Sequence, residues 1–430
     1  MHELNIKKVQ GYQVLDSRGR PTVAVTLTLS DGSLHTARVP SGASTGAHEA
    51  HELRDAGSDR AEKYFGGLSV YQAVENVNAI IAPKLLGHSL NLAAIDGLLV
   101  EIDPTPGHQK IGANATLATS LAVAKAAAYA SGNSVARYFQ PEGSLLLPMP
   151  MVNILSGGAH ANRSLDIQDV LVVPHAAGNF AEALSWIVAI RERAARAGKS
   201  HGATHLVADE GGLGLTFANM EDACEFVLVQ IEELGLSDKV SLALDIAATQ
   251  FFADNNKYLL NTSGQIYSPE QFVETLLDLV ATYPISSIED PFAEDDWASW
   301  SAFTAQAPMN LQILGDDLFT TNLHRLERGI TEKSANSILI KPNQNGLLTS
   351  THRVLEHARI NNFATVVSAR SGETEDSWLA DLATGWRAQQ IKVGSTHGSE
   401  RTAKWNRLLE LEATEETEFA RPFSTPKLEK

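Results

Sequence analysis

The sequence contains very little of what disulfide bonding or nucleic-acid binding would require. Only one of its 430 residues, Cys224, is a cysteine, so no disulfide can form within the chain. A single cysteine in a helical pattern fits a reducing compartment and a buried structural thiol. Basic residues are also scarce, because 34 Lys and Arg stand against 51 Asp and Glu, for a formal net charge of −17. We therefore expect neither nucleic acid nor an anionic membrane as a partner, since little of the surface could neutralise phosphate groups.

Long apolar segments and a dinucleotide fingerprint are missing as well. The most apolar predicted helix, residues 113–130, is interrupted by Asn114, Ser120 and Lys125, which favours a buried helix over a membrane span. Residues 1–8 lack the apolar core of a signal peptide, so we expect a cytoplasmic protein. No G-x-G-x-x-G motif is found in the sequence, which argues against a dinucleotide-binding open sheet.

What the sequence does contain is typical of a folded protein with two parts. The hydrophobic content of 43% and the charged content of 20% are those of an ordinary globular chain. Residues 5–39 alternate as a three-stranded meander with a hairpin turn at Asp31-Gly32, and helical patterns follow. These features predict an α+β domain over residues 1–136, a linker near 140–144, and a second domain over 142–421.

Charged residues end six consecutive apolar segments of the second domain. The six are, in chain order, Asp245, Glu289, Asp316, Lys341, Arg370 and Lys392. Each segment is predicted to be a buried strand, and strands that alternate with helices form a parallel sheet. In a (β/α)8 barrel the carboxyl ends of all such strands share one face, where active sites lie. We therefore predict an α/β fold with a (β/α)8-type barrel, and a doubly wound open sheet is the alternative.

The order of charges along these strand ends suggests the ligands. Three acids in a row, Asp245, Glu289 and Asp316, favour a hard divalent cation such as Mg²⁺, whose preferred ligands are oxygens. The alternative is a set of solvated loop carboxylates. The three cations that follow would suit a substrate with carboxylate and phosphate groups, or else would form ion pairs within the barrel mouth.

Several longer motifs resemble those of the enolase (phosphopyruvate hydratase) family. They are residues 16–19 (DSRG), 41–46 (SGASTG), 209–212 (DEGG), 287–290 (SIED), 315–318 (GDDL), 337–341 (SILIK) and 370–376 (RSGETED). The resemblance runs from the first strand to about residue 410. It implies an N-terminal α+β capping domain and a barrel of order ββαα(βα)6. It also implies reversible dehydration of 2-phosphoglycerate to phosphoenolpyruvate in glycolysis, two Mg²⁺ ions, and a homodimer or higher homo-oligomer.

The resemblance also implies a role for each matching residue. Lys341 would be the base that removes the C2 proton, and Glu210 the acid that helps the C3 hydroxyl leave. The expected metal ligands are Asp245, Glu289, Asp316 and, from the small-residue loop, Ser41. The expected substrate-binding residues are Gln168, Arg370, Ser371 and Lys392. His160 and Asp169 match further active-site positions.

The chain departs from the family pattern near the expected active site. Ala369 replaces a histidine, Asp169 a glutamate, Gly398 an arginine, and Pro342 an apolar residue with a free N–H. Ala24 replaces an acid that helps to pair subunits. Two alternatives therefore stay open beside an enolase: a paralogue that dehydrates a different phosphorylated or phosphonate hydroxy acid, and a non-catalytic binding protein on the same scaffold.

Overall fold

The N-terminal part is an antiparallel meander covered by helices. The structure, a computed structural model, describes residues 4–43, 46–57, 64–161, 164–253 and 256–423, except for the side chain of His160. Strands β1 (Ile6–Leu15), β2 (Pro21–Leu29) and β3 (Leu34–Arg38) pair in that order. The meander predicted from the alternating pattern and the Asp31-Gly32 turn is thereby confirmed.

Among the described residues of this part, five segments are α-helices. They are α1 (Tyr71–Asn76), α2 (Ala82–Leu85), α3 (Leu92–Ile102), α4 (Ala113–Ala130) and α5 (Val135–Phe139), with a π-helical turn at Val77–Ile81 between the first two. Helix α4 is buried along nearly all of its length and packs on β2 and β3, as its small apolar residues predict. None of the helices that the structure describes combines the length and apolarity of a membrane span.

The second part is a closed barrel of eight strands. These are β5 (Met149–Ser156), β6 (Asp169–Val173), β7 (Ser241–Asp245), β11 (Ile285–Glu289), β12 (Gln312–Gly315), β13 (Ser337–Ile340), β14 (Ala364–Ser368) and β15 (Gln390–Gly394). The short strands β4 (Leu145–Leu147) and β16 (Thr417–Phe419) pair outside it. Strands β8 (Phe252–Ala253), β9 (Lys257–Leu259) and β10 (Ile266–Tyr267) form a small separate sheet.

The order of strands and helices confirms the predicted ββαα(βα)6 barrel. Strand β6 runs antiparallel to both of its neighbours, and the remaining barrel pairs are parallel. Helices α6 (Phe180–Ala197) and α7 (Met220–Glu232) follow the first two barrel strands. The later helices are α8 (Pro269–Thr282), α9 (Trp297–Gln306), α10 (Leu323–Glu332), α11 (Pro342–Asn345), α12 (Leu348–Ile360), α13 (Trp378–Gly385) and α14 (Ser399–Thr414).

The inside of the barrel is layered because alternate residues of a strand face the same way. An apolar layer consists of Met149, Met151, Leu171, Val173, Ala243, Leu314, Leu339 and Val366, all buried. Two residues further along their strands, Ala243, Leu314 and Leu339 are followed by Asp245, Asp316 and Lys341. The same inward face therefore changes from apolar to charged at the carboxyl end of the barrel.

The two parts of the chain join at this charged end. Ser41 and Gly372 exchange two backbone hydrogen bonds, with N···O distances of 2.8 and 3.0 Å. A Cβ atom on Gly372 would lie 2.2 Å from the Asp16 carboxylate and 2.7 Å from the Ser41 carbonyl oxygen. Only glycine permits this approach, so the N-terminal part contributes directly to the mouth of the barrel.

Candidate active site

Three buried carboxylates lie at the ends of adjacent barrel strands. Asp245 and Glu289 are paired in register as the last residues of β7 and β11, and Asp316 follows β12. The Lys392 ammonium group donates hydrogen bonds to Asp245 Oδ2 at 2.6 Å and to Glu289 Oε2 at 2.7 Å. The predicted gathering of acids and cations is present here.

Lys341 lies on the third carboxylate of this group. Its ammonium group donates a hydrogen bond to Asp316 Oδ2, and Gln344 Nε2 donates to Asp316 Oδ1 at 2.9 Å. Asp290, which follows Glu289 with a φ of +40°, accepts hydrogen bonds from the backbone N–H groups of Asp316 and Asp317. Asp290 thus fixes the loop that carries Asp316.

The pKa directions reflect the balance of charge in this mouth. Burial, and next the charge of Asp245, raise the pKa of Glu289 well above its usual value. Burial would raise the pKa of Asp316, but the Lys341 charge and hydrogen bond bring it below its usual value. Burial would lower the pKa of Lys341, yet Asp316 raises it overall. The ammonium groups hold their protons because the carboxylates are close.

This donor set fits a divalent cation. Asp245, Glu289 and Asp316 present carboxylate oxygens from three neighbouring strands, the ligand type that Mg²⁺ prefers. Carboxylate oxygens of Asp290, Asp316 and Asp317 also lie within 4.8 Å of one another. Both oxygens of Asp290 already accept backbone hydrogen bonds, so we assign that residue to the support of the loop.

Glu210 contacts β5, the barrel strand that pairs with β6, and β6 carries Asp169. Glu210 ends the connecting segment 205–210, and its carboxylate accepts a hydrogen bond from Asn153 Nδ2 at 3.1 Å. Asp169 accepts one from Ser156 Oγ at 2.6 Å. Burial, and next the charge of Glu210, raise the pKa of Asp169 well above its usual value. The carboxyl groups of Asp169 and Glu210 are therefore crowded together in a buried setting.

Arg370 and Ser371 follow β14 and face the loop of the N-terminal part. Two guanidinium nitrogens of Arg370 donate hydrogen bonds to the carboxylate of Glu49, at 2.8 and 3.1 Å, and one also donates to Asn343 Oδ1. The hydroxyl of Ser371 accepts a hydrogen bond from the Ala43 N–H at 2.7 Å. The sequence assigned no role to Glu49, although the residue follows the small-residue loop by three positions.

The remaining predicted residues lie around this centre. Gln168 Nε2 donates a hydrogen bond to Asp245 Oδ2 at 3.0 Å. The Ser41 hydroxyl accepts hydrogen bonds from Arg54 at 2.7 Å and from Arg18 at 3.3 Å. The side chain of His160 lies outside the described residues. Ser41 thus lies at the mouth, and in this arrangement its hydroxyl faces arginines.

Two departures from the family pattern have simple structural explanations. Pro342 is the first residue of α11, where a backbone N–H would have no helical partner. Gly398 has a φ of +90°, and a Cβ atom there would lie 2.4 Å from a Glu400 carboxylate oxygen. Ala369 is buried beside the site, and its backbone N–H donates a hydrogen bond to the Lys392 carbonyl at 2.9 Å.

The whole arrangement suits proton removal next to a carboxylate. It offers a lysine as a base, a carboxyl group as an acid, an acidic centre for cations, and an arginine–serine pair for an anion. Comparison with known proteins agrees in both parts of the chain. The description "Enolase, N-terminal domain" matches residues 6–139, and "Enolase, C-terminal TIM barrel domain" matches residues 144–422.

Curated relatives match over almost the full length. Proteins named Enolase from Campylobacter jejuni subsp. jejuni serotype O:23/36 (strain 81-176) and from Campylobacter jejuni subsp. doylei (strain ATCC BAA-1458 / RM4099 / 269.97) are each 43% identical over 410 residues. The alignments cover 95% of this chain and 97% of each relative. The chain belongs to the enolase family, as an enolase-type hydro-lyase.

Proposed function

We propose that the protein catalyses the reversible dehydration of 2-phosphoglycerate to phosphoenolpyruvate. One observation carries this proposal: a single barrel mouth holds Lys341 on Asp316 and Lys392 on Asp245 and Glu289. Lys341, the proposed base, thus lies beside carboxylates that can bind cations. Those cations and Lys392 would stabilise the negative charge that forms on the substrate. The expected partner is therefore a small phosphorylated hydroxy acid.

The difficult step is removal of a proton next to a carboxylate, because it places a second negative charge on that group. Two Mg²⁺ ions, held by Asp245, Glu289 and Asp316 and with Ser41 proposed for the second, would stabilise this dianion. Lys392 would add its positive charge on the same side. Lys341 must be neutral to accept the C2 proton, and at present the Asp316 charge keeps it protonated. Lys341 can therefore act as the base only when a bound cation offsets the negative charge of Asp316.

The other residues complete the elimination. Glu210 would donate a proton to the C3 hydroxyl, which leaves as water while the C2–C3 double bond forms. Asp169 beside it would favour the protonated form of the acid pair. Arg370 and Ser371 would hold the phosphate, with Glu49 balancing the arginine charge when phosphate is absent. Gln168 would orient Asp245, and His160 is proposed as a further active-site residue.

The cellular setting is part of the same proposal. We expect a cytoplasmic enzyme of glycolysis and gluconeogenesis that works as a homodimer or higher homo-oligomer. The acidic charge of −17 gives no support for nucleic acid as a partner. Measurement of the molar mass in solution would test the expected oligomer.

A second candidate is favoured by two shorter side chains at the site. Ala369 and Asp169 both have less volume than the family residues, and both are buried at the mouth. A phosphorylated or phosphonate hydroxy acid with a larger substituent near either residue would fit this difference. The protein would then be a paralogue with the same proton chemistry.

One experiment separates the two candidates. The purified protein is incubated with 2-phosphoglycerate and Mg²⁺, and phosphoenolpyruvate is followed by its ultraviolet absorbance. Turnover that Lys341→Ala abolishes, and that exposed Lys84→Ala leaves unchanged, supports the enolase reaction. No turnover, together with Mg²⁺-dependent exchange of a C2 proton in another hydroxy acid, supports the paralogue. A protein that binds no Mg²⁺ would contradict both.

A further inference from the structure

Two positively charged residues of α14 are completely buried beneath the active site. Arg401 and Lys404 each have 0% of their surface exposed, although they lie on a helix whose other face is polar. They are three positions apart, so both side chains face the same way. Buried cations need many partners to offset the loss of hydration, and the contacts of these two residues show what they support.

Arg401 joins three segments of the barrel mouth by hydrogen bonds to backbone carbonyls. One terminal nitrogen donates to the Arg370 carbonyl at 2.6 Å and to the Val393 carbonyl at 3.0 Å. The other donates to the Ser371 carbonyl at 2.5 Å and to the Asp209 carbonyl at 3.3 Å. Each segment carries or adjoins a residue of the proposed site: Arg370 and Ser371 themselves, Lys392 before Val393, and Glu210 after Asp209.

Lys404 supports the same segment from the next turn of the helix. Its ammonium group donates hydrogen bonds to Glu373 Oε2 at 2.9 Å and to the Thr374 carbonyl at 2.5 Å. Glu373 Oε1 in turn accepts a hydrogen bond from the Arg370 backbone N–H at 3.2 Å. Both backbone polar groups of Arg370 are therefore held by side chains that depend on α14.

We propose that Arg401 is a positioning residue, which fixes the Arg370–Ser371 segment at a set distance from Glu210 and Lys392. The inference rests on the proposed function in one respect, that Arg370 and Ser371 bind the phosphate group. If the residue were needed only to fill space, an apolar side chain would cost less free energy to bury, since no charge would have to be desolvated. The planar fork of a guanidinium, with five N–H donors, reaches four carbonyls that a lysine ammonium group cannot reach together.

Stability and ligand affinity respond differently to the loss of a structural residue and to the loss of a positioning residue. Loss of a purely structural residue lowers the unfolding temperature but leaves the folded site with the same affinity. Loss of a positioning residue weakens binding of an anion by the folded protein, because Arg370 and Ser371 no longer present a fixed geometry.

The test uses the full chain and inorganic phosphate as the probe. Phosphate affinity in the presence of Mg²⁺ is measured by calorimetry, and the unfolding temperature is measured on the same samples. We expect Arg401→Lys to weaken phosphate binding at least tenfold. The matched control is Arg407→Lys, in the same helix, where Arg407 pairs with Asp381 away from the mouth. It should change phosphate affinity less than twofold.

A second variant covers the case in which a buried lysine at this position prevents folding. Arg401→Met fills similar volume without a charge, so it should fold and should lose phosphate affinity to the same degree. The proposal is overturned if the folded Arg401 variants bind phosphate as tightly as the wild type does. It is also overturned if the wild type binds no phosphate. Wild-type protein that binds phosphate but does not dehydrate 2-phosphoglycerate would remove the proposed function and leave this inference intact.

Discussion

Two layers inside the same barrel differ sharply although they lie only two residues apart on each strand. The apolar layer includes Leu314 and Leu339, which are fully buried among side chains of their own kind. The charged layer, about 6.6 Å further along the strands, includes buried Asp316 and partly buried Lys341, which form an ion pair. Leu314 and Leu339 lie within β12 and β13, whereas Asp316 and Lys341 follow the last residues of these strands.

The difference teaches that stability and chemistry are separated along each strand. Each apolar side chain contributes roughly 1.5–3 kcal/mol by leaving water. The charged side chains lose hydration, and their mutual attraction does little more than offset this loss. The apolar layer therefore carries stability, while the charged layer is expected to carry function.

The largest expected effect is on activity, in the charged layer. Lys341→Ala removes the proposed base, and we expect turnover of 2-phosphoglycerate to fall by at least about 10³-fold. Steady-state kinetics measure the change, and circular dichroism checks that the variant is folded. Activity within tenfold of the wild type would contradict the assignment of Lys341.

The next effect is on stability, in the apolar layer of the same strand. Leu339→Ala opens a cavity two residues before Lys341, and we expect the free energy of unfolding to fall by about 2–5 kcal/mol. Turnover of the folded variant should stay within about tenfold, since no polar contact of the site is removed. Denaturant titration and kinetics are both needed. If Leu339→Ala lost as much activity as Lys341→Ala, stability and function would not be divided between the two layers.

Metal addition should act through the charged layer alone. At a Mg²⁺ concentration 100 times its dissociation constant, we expect the free energy of unfolding to rise by about 2.7 kcal/mol. Glu289→Gln should reduce this increment, whereas Leu339→Ala should keep it despite its lower starting stability. The measurement is denaturant unfolding with and without Mg²⁺. If Mg²⁺ stabilised the wild type, Glu289→Gln and Leu339→Ala by the same amount, the cation would bind at a different site.

The smallest effect concerns pH. Burial, and next the charge of Asp316, raise the pKa of Asp317 to about 8. Because the folded pKa lies above the unfolded one, the contribution of Asp317 to stability is full below about pH 4 and is lost as the pH rises towards 8. Metal-free Asp317→Asn should therefore gain stability relative to the wild type as the pH rises from 5 to 8, by at most about 1.4 kcal/mol for each pH unit. Exposed Asp238→Asn is the control. If the difference in free energy of unfolding between Asp317→Asn and the wild type did not change with pH, the prediction would be contradicted.

The sequence predicted the barrel well because its strands are short apolar segments that can be recognised one at a time. A buried segment that ends in a charge, such as the one before Lys341, indicates both the strand and the end at which its last side chain emerges. The order ββαα(βα)6 needed the family resemblance, since nothing in β6 alone indicates that it runs antiparallel to its neighbours.

Contacts between distant segments could not be predicted in this way. Glu49 pairs with Arg370 across 321 positions of the chain, and the loop around it shows no periodicity. Arg401 was missed for another reason, because helical patterns assign arginine to the solvent face. Its burial depends on carbonyls from three separate segments, one of them in β15.

The close approach at Gly372 has a consequence for how such proteins can be recombined. The joint between the two parts includes backbone hydrogen bonds with Ser41, together with side-chain pairs such as Arg370–Glu49 and Lys125–Asp376. It also requires a glycine on the barrel side. A capping domain taken from a relative should therefore graft onto this barrel only if Gly372 and the side-chain partners across the joint are kept. Domain exchange between relatives is thus limited both by one missing side chain and by matched polar contacts across the joint.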